Sequence, residues 1–511
     1  MIKKNDILTG TVQSFGSDGE GVLRMEDYVF FVPYALPGEK ISFRVLKIQG
    51  KIGYGKVEEI FVSSPDRVSP VCPVFHTCGG CGLQHMSYAL QTEYKREKVK
   101  NALLKIGGAE AEVSPVVPCA SPYGYRNKLQ LPVGVDGNGN TVLGFYVERS
   151  HRIVPIDRCY IHPEWSAKLI AVFKEYLACS EAKGYDERAK KGLIRHLVAR
   201  EIDGKYLVTI VATEKNLPEK ELLIEKLQAA FPGCSAFVNV NKSDSNVIFG
   251  DRFYSLCGAE HIEGETDGIA YEAGAETFVQ VNPEIREKLY ERAMEACFAG
   301  GAEVVIDAYS GGGLMTAMAA RRAKRAYGIE LNAEASACAE SLKKKNNLAN
   351  MANVCGDAAA ELPRIMVEEN GEKTVLILDP PRAGVARSVL YAILKSKIER
   401  FVMISCDPAT LARDLGILTG TLVEKDGVLI KNTAGARDNR ENNYFRIESV
   451  EPFDMFPQTK HVETLVVLSH KKPDSHLEVK IDFDNTALDK MAVSERAETR
   501  KPQEKTTYKN M

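Results

Sequence analysis

No stretch of this chain stays apolar for anything near the ~20 residues that a membrane helix needs, so no membrane partner is expected. The opening Met1-Ile-Lys-Lys-Asn-Asp6 leads into no apolar h-region, which argues against secretion and for a cytoplasmic protein. A surplus of one charge is also missing. With a formal net charge of −3, any surface for nucleic acid has to be local. Twelve cysteines without an export signal read as thiols or metal ligands rather than as a disulfide framework.

What is present divides unevenly. The length allows about three domains at roughly 150 residues each, and 44% hydrophobic residues supply their cores. Residues 1–62 hold short β-like runs, Gly10-Thr-Val-Gln-Ser, Gly21-Val-Leu-Arg, Tyr28-Val-Phe-Phe-Val and Ile41-Ser-Phe-Arg-Val-Leu, between Gly-rich turns. That pattern predicts a small oligonucleotide-binding (OB-like) β-barrel. Eight lysines and arginines in this segment face eight acids, so the strand pattern and not charge carries the expectation. Next comes Cys72-Pro-Val-Phe-His-Thr-Cys78-Gly-Gly-Cys81, with Cys159 further on. Three thiols within ten residues plus a remote fourth suit a [4Fe–4S] cluster or structural zinc, with unligated thiols as the bland reading. Zinc sites commonly use two C-x-x-C pairs, and only one is here.

Ser87 to Ile106 reads as a basic helix whose default is a solvated face, with phosphate contact as the alternative. Tyr123-Gly-Tyr125-Arg126-Asn127-Lys128 puts aromatics beside cations, a combination suited to stacking on bases and bonding phosphates, or to an ordinary strand entrance. Helix-like and strand-like segments then alternate to residue 260, an α+β middle domain.

The last third carries the chemistry. Val304-Val-Ile-Asp307 is a buried-type strand, and Tyr309-Ser310-Gly311-Gly312-Gly313 leads into a helix near Leu314. Glycine there permits positive φ and close approach to a ligand. The loop is neither a dinucleotide G-x-G-x-x-G nor a Lys-[Ser/Thr] phosphate loop. A second strand ends at Glu330, where such sheets hold a ribose diol, so an adenosine-bearing cofactor is expected. Asp357 ends a third strand, to meet an adenine or cap a helix. Leu376-Ile-Leu-Asp379-Pro380-Pro381-Arg382 ends the fourth, with an arginine where amino-directed methyltransferases keep a stacking aromatic. Upstream, Asn282 and Pro283 are set to start a helix, leaving Gln280 free to face the cofactor or to be a loop amide. Phe401-Val-Met-Ile-Ser405 runs into Cys406-Asp407-Pro408, a thiol at the strand end where open α/β sheets place their chemistry.

Taken in order, Cys72/Cys78/Cys81/Cys159, the Gln280 segment, Asp307-x-x-x-Gly311-x-Gly313, Asp379-Pro-Pro-Arg382, Ser405-Cys-Asp-Pro408 and His461-Val-Glu463-Thr464 resemble one family. It is the S-adenosylmethionine (SAM)-dependent RNA uracil-C5 methyltransferases, and most of all their iron–sulfur, TRAM-bearing 23S ribosomal RNA branch. The likeness spans residues 1 to about 470. It implies a TRAM barrel over 1–62, an iron–sulfur α+β RNA-binding domain over 63–265 and a Rossmann-like class I methyltransferase domain over 266–470. The tail over 471–511 is polar and highly charged, and its composition predicts disorder. The resemblance carries site residues as well. It further implies SAM held by Gln280, Tyr309, Glu330 and Asp379, a [4Fe–4S] cluster on Cys72, Cys78, Cys81 and Cys159, Cys406 as nucleophile and Glu463 as base. An RNA partner and a monomer are expected.

The chemistry calls for the same residue types. Uracil C5 is a poor nucleophile until a thiolate adds to C6, and a carboxylate must then remove the C5 proton so that the cysteine can leave. C6 is inaccessible within a helix, so the target uridine is unpaired or flipped out. Two departures stand out: Ser310 replaces a cysteine of many relatives, and Lys425–Asn443 intervene where relatives pass on directly, either an RNA-contacting insertion or, as favoured here, a plain disordered loop. Rival readings are the same reaction on tRNA and an inactive RNA-binding iron–sulfur scaffold.

Overall fold

The computed structural model describes residues 2–369, 372–432 and 444–470. The first six strands form one sheet in the order Ile7–Thr11, Lys40–Gln49, Ile52–Val62, Tyr28–Val32, Gly21–Met25, Ser14–Phe15. Its core is Leu23, Phe30, Val32, Ile41, Phe43 and Val45. The sequence reading missed Ile52–Val62, and the reason is steric. A Cβ at Gly53 would stand 2.2 Å from the Phe30 ring, and one at Gly55 2.5 Å from the Phe43 ring. These glycines look like turn formers but make room for two core rings.

A seven-stranded middle sheet follows, ordered Arg252–Cys257, Ser235–Val240, Lys205–Ala212, Ile194–Ile202, Lys128–Val135, Thr141–Tyr146, Ile153–Pro155. Leu129, Leu131, Leu197 and Ala199 point to one face and pack under Phe173, Tyr176, Leu223 and Leu227 of the helices Glu164–Cys179 and Lys220–Ala230. The alternate residues face the other way, into a cleft.

The last sheet runs Met351–Cys355, Arg325–Glu330, Val304–Ala308, Thr374–Leu378, Arg400–Ser405, Glu463–His470, Phe445–Phe453. Its first five strands are parallel, and Glu463–His470 lies antiparallel to both neighbours. The order reverses at Val304–Ala308, and in such sheets the crevice beyond the carboxyl ends at the switch point is the ligand site.

The basic helix, Tyr88–Ala102 with Ser87 as N-cap, is not simply a solvated face. Lys95 is fully buried and donates to Asp454 Oδ1 at 2.5 Å and to the Phe456 carbonyl at 3.0 Å. Arg96 and Lys98 bond the carbonyls of Val113 and Lys460. Lys95 and Lys98 thus pin the segment that leads into Glu463. Lys95→Met would strand Asp454 as a buried charge, an expected cost of about 3–5 kcal/mol in a denaturant melt; an unchanged midpoint would refute the structural role.

Part of the 425–443 insertion is a β-hairpin, Leu422–Lys425 with Val428–Lys431 around Asp426-Gly427, rather than a plain loop. Residues 433–443 and the 471–511 tail lie outside the described residues. Among the described residues no helix is long and apolar enough to cross a membrane.

Candidate active site

Tyr309, Glu330, Asp379 and Cys406 sit where parallel strands of the last sheet end, Glu463 opens the antiparallel strand at the same edge, and Gln280 comes just before the helix Pro283–Phe298. The strand Arg400–Ser405 ends at Cys406, and Asp407 at once caps the helix Pro408–Thr419, its Oδ1 accepting from the amides of Ala409 (2.9 Å) and Thr410 (3.0 Å). Pro408 gives up no needed donor at that first turn. Antiparallel pairing of Ser405 with Thr464 puts Cys406 and Glu463 one step further along the same edge. The two residues are 57 positions apart in the sequence and opposed in the fold.

The glycine loop is shaped by backbone. Tyr309 takes φ 74°, rare for a non-glycine residue, and its amide donates to the Ile329 carbonyl at 3.0 Å. At Gly313, φ is 81° and an added Cβ would lie 2.7 Å from Ala339 Cβ, so only glycine fits. Glu330 braces the loop by accepting from the Gly311 amide at 2.9 Å and the Asn332 amide at 2.7 Å. Asn282 caps Pro283–Phe298 as expected, which leaves Gln280 buried, its carbonyl accepting from Asn127. Asp357 caps the helix Ala358–Glu368, one of its two readings, and also lines the cleft.

One cleft of about 1700 Å³ is lined by Gln280, Tyr309, Glu330, Asp379, Cys406 and Glu463, and by all four of Cys72, Cys78, Cys81 and Cys159. The fold thus gathers the candidate nucleophile, base, SAM-holding residues and cysteines in one place. Carboxyls crowd the end of the cleft that holds Cys406. Burial, then the charge of Asp379, pushes the Glu463 carboxyl up to about 8, and burial with the charge of Asp307 pushes Asp379 up to about 7. Burial and Glu463 push the Cys406 thiol up to about 11, and the Arg382 cation pulls it back. From sequence, Arg382 belongs to the Asp379-Pro-Pro-Arg382 motif and stands in place of a stacking aromatic, with no role of its own. Its part in favouring the thiolate depends on contacts across the cleft, which no local motif signals. Asp307, read from sequence as a strand end and motif residue, is fully buried and accepts from Thr316 Oγ1 at 2.7 Å.

The four cysteines share the cleft and feel one another's charge; burial pushes Cys81 and Cys159 up to about 12. Among the described residues, however, no three His, Cys, Asp or Glu side chains are arranged to hold a metal ion. The cluster expectation is not borne out by this geometry.

Residues 258–429 match the family described as tRNA (uracil-5-)-methyltransferase. The Pyrococcus abyssi tRNA (uracil-54, C5)-methyltransferase, solved in complex with S-adenosyl-L-homocysteine, is 28% identical with a TM-score of 0.68, over 90% of this chain and 100% of that one. An RNA methyltransferase of Halalkalibacterium halodurans is 39% identical over 474 residues, 92% of this chain and 98% of its own. This chain belongs to the SAM-dependent RNA uracil-C5 methyltransferases. Another such relative, an RNA methyltransferase of Listeria innocua, is 37% identical over 92% of this chain and 99% of its own. As a SAM-dependent RNA methyltransferase the protein is an enzyme, which sets aside the inactive scaffold. The last sheet is the part of the fold expected of a methyltransferase domain.

Proposed function

We propose that this methyltransferase modifies a uridine of 23S ribosomal RNA through a transient bond between Cys406 Sγ and uracil C6, with Glu463 removing the C5 proton. The observation that carries the reading is the opposition of Cys406 and Glu463 at one sheet edge, with Asp379 and the glycine loop in the same cleft. The ribosomal target rests on the six-stranded N-terminal sheet as a TRAM module and on the four cysteines. A tRNA target is the second reading, favoured by the tRNA substrate of the Pyrococcus neighbour. The domains are those expected from sequence, 1–62, 63–265 and 266–470, in a cytoplasmic monomer. Methyl transfer from labelled SAM to transcripts of 23S RNA and of tRNA, assayed side by side, decides between the targets. Label on tRNA alone overturns the ribosomal reading.

Gln280, Tyr309, Glu330 and Asp379 would hold SAM, which supplies a methyl group on a positively charged sulfur. Four soft thiols in one cleft also fit a [4Fe–4S] cluster by donor chemistry. Anaerobically purified protein should then carry about four irons, and stoichiometric zinc would overturn the assignment.

A pH dependence follows from the acids. Free carboxyls titrate near ~4, and Asp379 and Glu463 lie above that at about 7 and about 8. Their contribution to the ligand-free fold is therefore fully present below pH ~4 and is lost as pH rises through those two values. A cation bound beside them favours their ionised forms. The thermal stabilisation by SAM should exceed that by neutral S-adenosylhomocysteine increasingly between pH ~6 and ~8, by up to ~10-fold in relative affinity per pH unit and proton released. A pH-independent ratio would count against Asp379 and Glu463 facing the sulfur.

A further inference from the structure

The cleft has a second wall that the methyl-transfer chemistry does not use. It is the open face of the middle sheet, where Lys128, His196, Arg200, Phe237 and Phe253 line the cavity. Lys128 and Arg200 are direct cross-strand partners in antiparallel register. Like charges directly opposed weaken a sheet, and here neither is relieved. Among the described residues no ion pair involves Arg126, Lys128 or Arg200.

Arg200 is 4% exposed, and its Nη1 is buried with no hydrogen-bond partner. Arg126 spends its Nε on the Lys128 carbonyl at 3.3 Å. Burial, then Arg200 and Arg126, holds the Lys128 ammonium down at about 8. Three crowded cations and an orphaned guanidinium N–H cost the fold stability, so a structural role alone does not account for them. The multiple N–H donors of two guanidiniums beside an ammonium match the oxygens of a phosphate. Phe253, partly buried on the same face, offers a ring on which an unpaired base can stack.

We propose that Arg126, Lys128 and Arg200 form a phosphate-binding site that grips the RNA strand beside the target nucleotide. The inference rests on the RNA methyltransferase reading and deepens it: the middle sheet, not the basic helix Tyr88–Ala102, supplies the cations for the backbone. That helix commits Lys95, Arg96 and Lys98 to protein acceptors.

The test uses the full chain as purified, with Arg200→Met and Lys128→Met, and fluorescein-labelled octauridylate as probe. Each variant is expected to lose about 10- to 100-fold in affinity, the worth of a charge-assisted hydrogen bond. The slope of log affinity against log salt should fall by about 0.7 for each phosphate no longer neutralised. Melting temperatures should stay unchanged or rise, because a buried unpaired charge has been removed. Unchanged affinity and slope, or no octamer binding by the unaltered protein, would overturn the proposal. So would a variant that melts well below the parent, since the cation would then be structural. Loss of bound metal with octamer affinity intact would also overturn it, assigning the cations to the cysteine group, because Arg126 also acts on Cys81. Methyl transfer is measured separately. If the unaltered protein methylates no RNA while the variants lose octamer affinity as stated, the uridine reading fails and the phosphate site stands.

Discussion

Cys406→Ala is expected to abolish methyl transfer, by at least ~10⁴-fold, while leaving SAM binding and the melting temperature near those of the parent. Without the sulfur nothing adds to C6, and C5 never becomes nucleophilic enough to accept a methyl group. Cysteine suits the step because it attacks well and leaves again. The site makes that attack demanding: burial and Glu463 raise the thiol to about 11, so only on the order of one molecule in 10³–10⁴ carries a thiolate near neutral pH. Arg382 opposes that rise, and the adjoining start of the helix Pro408–Thr419 adds a positive dipole end. The measurement is a covalent complex on denaturing gels with 5-fluorouridine-substituted RNA and SAM, since fluorine at C5 blocks the final proton removal. The parent should give the complex and the alanine variant none. A complex of undiminished yield in Cys406→Ala would exclude Cys406 as the nucleophile.

How much of this was readable beforehand depended on range. Strand–turn–helix junctions such as Asp307 to Leu314 and Ser405 to Pro408 announce themselves, because a buried apolar run, a glycine or a capping acid and a proline are all local. The same holds for Asn282 as a cap. What escaped notice was set by contacts between distant segments. Gly53 and Gly55 look like breakers until Phe30 and Phe43 are laid across them. The cations at 95, 96 and 98 look solvated until the 454–460 segment is seen to accept from two of them. The opposition of Lys128 and Arg200 exists only once two strands are in register. The cysteines were legible as a group, and the fold does bring them together; whether they are ligands is not written in their spacing.

The second large effect belongs to Glu463. Glu463→Gln keeps the shape of a fully enclosed side chain and removes the base. Addition of Cys406 and methyl transfer to C5 can still occur, but the methylated adduct retains its C5 proton and cannot eliminate the thiol. Ordinary uridine-containing RNA with SAM should therefore accumulate as a covalent, methylated protein–RNA complex that survives denaturation, with turnover down by about 10²- to 10⁴-fold. In the parent, a base raised to about 8 is strong enough to take a carbon-bound proton but is mostly protonated below neutrality. Turnover should thus rise with pH toward about 8, and the residual turnover of the glutamine variant should lack that rise. Recovery of free RNA alone from denatured Glu463→Gln would show that another group removes the proton. Asp379 is then the acid to substitute next, because it faces the same crevice and is raised to about 7.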